Sequence, residues 1–319
     1  MEEYTSKILK ILTKIYGILA LIIIITYAIS FIIVIYCIIF SPQGLYFQSK
    51  IFHSLRLNIL YFQFIRIPIE FNAGQLLSIL HIIFIISFLT SYFSYKKYSI
   101  INLIKEGDVN YIKKNFLILM PAISSFIFII TLIMHTLFER VGIGVGGPSY
   151  EDPLITLLSL SYAIVSEEIG FRLIPILIPS GIYIIIKLKF RKIFLAIFKP
   201  EMVYSKDRIL RIIQISLIFI SAFLFSYAHI AFNIWDIGKI PSSFIAGIVI
   251  GLCAVKYGFD AAILIHWYFN YYWYALLLPS RLGLNFDFLF NFSFSLTFYI
   301  VLVVALIFIL RIKIILVKK

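Results

Sequence analysis

The chain predicts an all-α, polytopic membrane protein of about eight transmembrane helices. Hydrophobic residues make up 62% of it and charged residues only 13%, against roughly half and a quarter in a soluble domain. Several apolar runs reach the roughly 20 residues needed to cross the hydrocarbon core. The basic residues gather in short blocks between those runs, the pattern of a chain threaded through a bilayer. The net charge of +13 is therefore read as topology, and a nucleic-acid partner is excluded. The expectation is a single membrane domain over 1–319.

Taken in order, apolar runs bounded by charges predict spans at Tyr16 to Phe40, Gly74 to Tyr95, Phe116 to Phe138, Leu154 to Pro179, Ile212 to Trp235, Ser242 to Val255, Ala261 to Leu278 and Phe292 to Leu310. The first is too long for a signal-peptide core and has no small-residue cleavage site after it, so it is expected to stay as an anchor. Between the first two spans, Ile51 to Asn72 is apolar but broken by His53, Arg56, Arg66 and Glu70, which places it at the membrane surface. The two cysteines, Cys37 and Cys253, lie inside apolar runs, where a disulfide has little to staple. With both termini in the cytoplasm, 21 of the 28 Lys and Arg fall on the inside, six outside and Arg172 within a span. That asymmetry favours this orientation. No internal repeat or soluble domain is visible.

An ionisable side chain inside a span costs about 3 kcal/mol or more and demands a reason. The fourth span carries three: Glu167, Glu168 and Arg172. Successive helix residues are rotated by about 100°, so the two glutamates diverge, whereas Glu168 and Arg172 at i and i+4 share a face and are expected to pair. Glu167 is left without a local cation, as a carboxylate free to take a proton from water. An ion-pair cluster that merely fixes helix packing is the alternative, but three such groups within two turns is a heavy penalty for packing alone. The fifth span ends in Phe225-Ser226-Tyr227-Ala228-His229. The seventh carries His266 and Asn270, again i and i+4, able to converge on one ligand oxygen as an oxyanion donor pair. His81 and His135 are read as hydrogen-bonded core residues and His53 as a surface residue.

Glu167-Glu168-x-x-x-Arg172, Phe225-x-x-x-His229 and His266-x-x-x-Asn270, in that order and each on a predicted span, resemble the three motifs of the CPBP (Abi) family, which includes CAAX prenyl proteases and bacteriocin-processing or immunity proteins. The run from Phe244 through Gly247, Gly251 and Tyr257-Gly258 to His266 is similar too. The motif-bearing core is 154–279. The resemblance implies an intramembrane endopeptidase acting on a membrane-associated protein or peptide, prenylated in the CAAX branch. Within it Glu167 is the general base, His229 holds the water or a metal, His266 and Asn270 stabilise the oxyanion, and Glu168, Arg172 and Phe225 support them. Zinc suits the ligand types of Glu167, His229 and His266, and the motifs equally allow a site without metal.

Several competing readings follow from the same residues. A catalytically idle scaffold or bacteriocin-immunity protein would keep the fold without the reaction. A proton-coupled transporter would use the same buried carboxylates but would be expected to show a repeat. A His-Glu-x-x-His zinc motif is missing, Asp260 has no second intramembrane aspartate to partner it, and Ser149 after Gly147-Pro148 reads as turn chemistry. Asn233 makes an accidental copy of the third motif with His229. The Gly247 to Gly251 spacing reads as close helix packing. One conflict is internal: His266 lies about six residues, roughly 9 Å, from the cytoplasmic end of its span, and His229 about 18 residues from that of its own. The two meet only if a helix tilts, breaks or starts elsewhere. Pro175, Pro179 and Gly181 are the expected break, after the glutamates, and Arg211 an expected earlier start of the fifth helix.

Overall fold

The computed structural model describes residues 2–60, 63–147, 152–188, 192–200, 207–231, 235–284 and 287–317. Asn233 and Ser149 lie outside them. Among the described residues, seven helices are long and apolar enough to cross a membrane: Tyr4–Phe40, Ala73–Ser94, Phe116–Arg140, Pro153–Lys187, Arg208–Ala231, Ile237–Tyr257 and Asp287–Ile314. The protein is an all-α polytopic membrane protein. The predicted seventh span is also helical, from Phe259 to Arg281. It is set apart by composition, because His266, Asn270 and a run of tyrosines dilute its hydropathy. Such a sequence is tolerated because the helix is buried by its neighbours: every residue from Ala261 to Tyr268 is buried.

In chain order the helices are α1 (Glu2–Phe40), α2 (Pro42–Ser49), α3 (Ala73–Ser94), α4 (Ile100–Glu106), α5 (Asn110–Lys114), α6 (Phe116–Arg140), α7 (Pro153–Glu168), α8 (Ile178–Leu188), α9 (Ile193–Phe198), α10 (Arg208–Ala231), α11 (Ile240–Tyr257), α12 (Phe259–Trp267), α13 (Trp273–Arg281) and α14 (Asp287–Val317). The first begins at Glu2 instead of Tyr16, and its polar start packs against the C-cap of α4: a Cβ on Gly107 would meet Lys10 at 2.6 Å. One end of the bundle, here the Gly258 end, gathers that start, Tyr95, Lys113 and Lys199. Tyr257 Oη donates to the Lys113 carbonyl at 2.9 Å, and Lys199 Nζ pairs with Asp260 at 3.1 Å.

The segment Ile51 to Asn72 forms antiparallel ladders. β1 (Ile51–Phe52) pairs with β4 (Phe71–Asn72), and β2 (Leu55–Ile59) with β3 (Gln63–Ile67). Arg56 and Arg66 face each other across the inner pair and both are exposed. This hairpin marks the opposite end of the bundle. There Asp152 caps α7 by accepting from Leu154 N at 2.9 Å, and its carboxylate receives Lys50 Nζ at 2.7 Å. Burial pushes the Asp152 carboxyl up, but Lys50 and the backbone N–H groups of Ile155 and Leu154 outweigh it and hold it below the usual carboxylate range.

The expected break after the glutamates does not occur. The chain stays helical from Pro153 to Leu188, passing through a π-helical segment, Ile169–Leu177. Pro175 has no N–H, so the carbonyl of Phe171 loses its i+4 donor. Ser221 Oγ of α10 donates to that carbonyl instead. The wider π turn and a borrowed hydroxyl thus absorb the proline without breaking the helix.

Candidate active site

Three helices bring the motif residues together. The α7 helix ends in Glu167 and Glu168, and Arg172 follows on the π segment. The last turns of α10 carry Phe225 and His229. His266 lies on α12, and Asn270 on a second π segment, Tyr268–Tyr272. The crossing of α10 and α11 is close because a Cβ on Gly247 would sit 3.0 Å from Ala222, and one on Gly251 3.0 Å from Ile218.

The depth conflict between His229 and His266 resolves at the Gly258 end. The turn into α12 does not lie at a membrane face but beneath α9: a Cβ on Gly258 (φ 113°) would meet the Phe198 carbonyl at 2.7 Å. Asp260 is buried there, bonded to Lys199 and to Ser91 Oγ at 2.8 Å. Its role is to fix this turn. Leu210 near the start of α10 packs with Ala196 of the covering layer, and α10 begins at Arg208, earlier than Ile212. Counting residues from a membrane face therefore places His266 too shallow.

Glu168 is fully buried. Its Oε1 lies 3.3 Å from Arg172 Nη1, the pairing the helix face predicts. The same oxygen accepts from His266 Nδ1 at 2.7 Å, a partnership between residues 98 apart that helix periodicity could not reveal. On the other side of the imidazole, Nε2 lies 3.1 Å from Asn270 Nδ2 and 3.5 Å from Glu167 Oε2. His266 is thus held between the two glutamates, with Asn270 bonded to it instead of standing free beside it. His229 is set apart from this group: its Nδ1 donates to the Phe225 carbonyl at 2.8 Å, which leaves Nε2 as an acceptor. The Phe225 ring joins everything, lying 4.6 Å from the His229 ring, 6.0 Å from that of His266 and 4.2 Å beneath the Arg172 guanidinium.

A cavity of about 460 Å³ opens on these residues. Glu167, His229, His266 and Asn270 line it together with apolar side chains such as Phe128, Leu160, Ile250 and Leu277. Arg172 and Glu168 stay behind the wall. His81 is bonded to Tyr271 Oη at 2.9 Å and His135 to Ser242 Oγ at 2.8 Å, as core histidines. His53 meets Glu70 at 2.9 Å on the surface.

Two lining residues were hidden in the sequence. Trp235 and Lys239 read as part of a span end and an outer loop, yet both face the cavity. Their segment is clasped to the loop after α6: Asp236 N donates to the Val145 carbonyl and Gly238 N to that of Gly144, both at 3.0 Å. The clasp needs glycines, since a Cβ on Gly238 would lie 2.6 Å from the Gly144 carbonyl oxygen. The Gly144-x-Gly146 spacing and Lys239 just ahead of Pro241 are the only signals a sequence reading could have used.

Zinc does not fit the predicted set. Among the described residues no group of three His, Cys, Asp or Glu could hold a metal ion.

Residues 149–272 match the family model of type II CAAX prenyl endopeptidase, Rce1-like. No curated protein and no solved structure matches the chain. The matched stretch takes in all seven motif residues and ends just past Asn270, in agreement with the CPBP resemblance. With seven helices of membrane-spanning length and composition, the Rce1-like match describes an integral membrane protein and supports a membrane endopeptidase.

Proposed function

We propose that the protein is an intramembrane endopeptidase that cleaves a membrane-associated, prenylated protein or peptide with water activated by Glu167. The observation that carries this reading is His266 set between two glutamates at the edge of an apolar cavity, hydrogen-bonded to Glu168 at 2.7 Å and within ion-pair distance of Glu167 at 3.5 Å. Glu167⁻, Glu168⁻ and Arg172⁺ leave one negative charge in the cluster itself, which is met by Lys239 across the cavity or by a further proton between Glu167 Oε2 and His266 Nε2. Neutrality is strongly favoured in a medium of low dielectric.

With that proton on His266, Glu167 is an anionic base and the imidazolium an electrophile. Glu167 takes one proton from a water whose other hydrogen is held by His229 Nε2. The hydroxide oxygen bonds to the scissile carbonyl carbon; the Asn270 Nδ2 amide, which can no longer donate to a protonated Nε2, turns with His266 Nε2–H to the oxyanion. The C–N bond then breaks as Glu167 passes its proton to the leaving amine. Glu168 keeps His266 Nδ1 protonated throughout, the part an aspartate plays in a serine-protease triad. No step is routed through a metal. The excess of Lys and Arg at the Gly258 end supports a cytoplasmic position for both termini.

The test is cleavage of a fluorogenic prenylated peptide by detergent-purified protein. Wild type cleaves it, and Glu167→Gln and His229→Ala fall by at least about 100-fold, the scale of lost acid–base catalysis. A chelator changes nothing. Equal turnover by wild type and Glu167→Gln would favour the idle scaffold instead.

A further inference from the structure

Lys239 is the one basic side chain in the cavity wall besides the two histidines. Its ammonium stacks 4.0 Å from the centre of the Trp235 ring. Among the described residues it has no ion pair. Every other wall cation candidate is already engaged: His266 between two glutamates, His229 by the Phe225 carbonyl. The backbone that carries it is also held in place, because Gly144, Gly146 and Gly238 let the 235–239 turn lock against the loop after α6, and the carbonyl of Lys239 accepts from Ser242 and Ser243.

A fixed, unpaired ammonium in a mostly apolar cavity is costly unless a ligand brings the opposite charge. A side-chain counter-ion for Glu167 would be the simpler role, but the Glu167 carboxylate turns to His266, and Lys239 does not come within ion-pair distance of it. We propose that Lys239 is a specificity-determining residue that binds a carboxylate of the substrate, its free C-terminus, while the apolar wall takes the hydrophobic side chains beside it. The proposal rests on the endopeptidase reading for what the ligand is.

The experiment measures binding and turnover separately. A farnesylated fluorogenic peptide ending in a free carboxylate and the same peptide ending in a carboxamide are titrated, by fluorescence anisotropy, against the full-length detergent-purified wild type, Lys239→Gln and Lys239→Arg. Wild type is expected to prefer the carboxylate about tenfold or more. Lys239→Gln loses that preference while binding the carboxamide as wild type does, and Lys239→Arg keeps it. In turnover the Lys239→Gln loss falls on KM, with kcat nearly unchanged. No preference in wild type, or a preference that survives Lys239→Gln, overturns the proposal. Lys239→Met, which keeps the apolar stem against Trp235 and removes the charge, repeats the comparison should Lys239→Gln not fold, and a preference that survives in it overturns the proposal. Should the carboxylate preference appear and depend on Lys239 without any cleavage, the binding role stands and the endopeptidase reading falls.

Discussion

Adjacent glutamates on a helix cannot do the same work, because the rotation between them sends their side chains to different neighbours. Glu168 turns inward to Arg172 and His266, and Glu167 turns to the cavity. The two therefore respond differently to the loss of charge. Glu168→Gln leaves the Arg172 guanidinium buried with only the Phe225 ring beneath it, and an uncompensated buried charge costs about 3 kcal/mol or more. Its thermal midpoint in detergent should drop by several degrees. Glu167→Gln removes a charge from a partly open position and should melt within a degree or two of wild type, with cleavage abolished. Equal midpoints for the two variants would mean that Glu168 does not hold the cluster. The i, i+4 half of this arrangement, Glu168 with Arg172, is visible in the sequence because a helix fixes it. The His266 half is not, because it depends on how α7 and α12 cross. Lys239 was missed for a related reason: next to Pro241 and Asp236 it looks like any loop charge, and only the glycine clasp turns it inward.

Two of the three helices that carry the motifs switch to π geometry at the site, at Ile169–Leu177 and at Tyr268–Tyr272. A π turn bonds i to i+5 and is tolerated mostly where function repays the poorer geometry. For the first segment the sequence contains the cause, Pro175, but not the remedy. A proline inside a run predicts a break, and nothing local announces that Ser221, 50 residues on, will take the freed Phe171 carbonyl. A double-mutant cycle isolates that bond. Ser221→Ala alone strands a buried carbonyl and should cost about 1–3 kcal/mol. In a Pro175→Ala background the restored N–H can return to Phe171, so the same substitution should cost less, with a coupling of at least about 0.5 kcal/mol. Additive losses in urea or thermal melts would show that Ser221 packs without bonding. The surface segment at 51–72 was legible as non-spanning from its charges, but its hairpin form was not, since its alternation is too irregular to separate a ladder from an interfacial helix.

At the scale of the whole molecule, the hydropathy signal is strong for the helices that face lipid and weak for the one that does not, though its apolar run still predicts a span at Ala261 to Leu278. The helix from Phe259 to Arg281 holds the third motif, is enclosed by its neighbours and falls outside the seven that meet the span criterion. Counted as a crossing, it gives eight and brings both ends of the chain to the same face, the Gly258 end. The basic residues then decide which face that is: Lys105, Lys113 and Lys199 belong to it, whereas Lys50 and Arg140 belong to the hairpin end. On the positive-inside rule we propose that the richer end is the cytoplasmic one. The native cysteines are both buried, so single introduced cysteines can report topology in an otherwise unmodified chain. Lys105→Cys and Arg140→Cys both sit at exposed positions on opposite ends. An impermeant maleimide applied to intact cells should label Arg140→Cys and reach Lys105→Cys only after permeabilisation. The reverse pattern would invert the protein and put Lys239 and the hairpin on the cytoplasmic side. A substrate anchored in the inner leaflet would then meet the cavity from the clasp end.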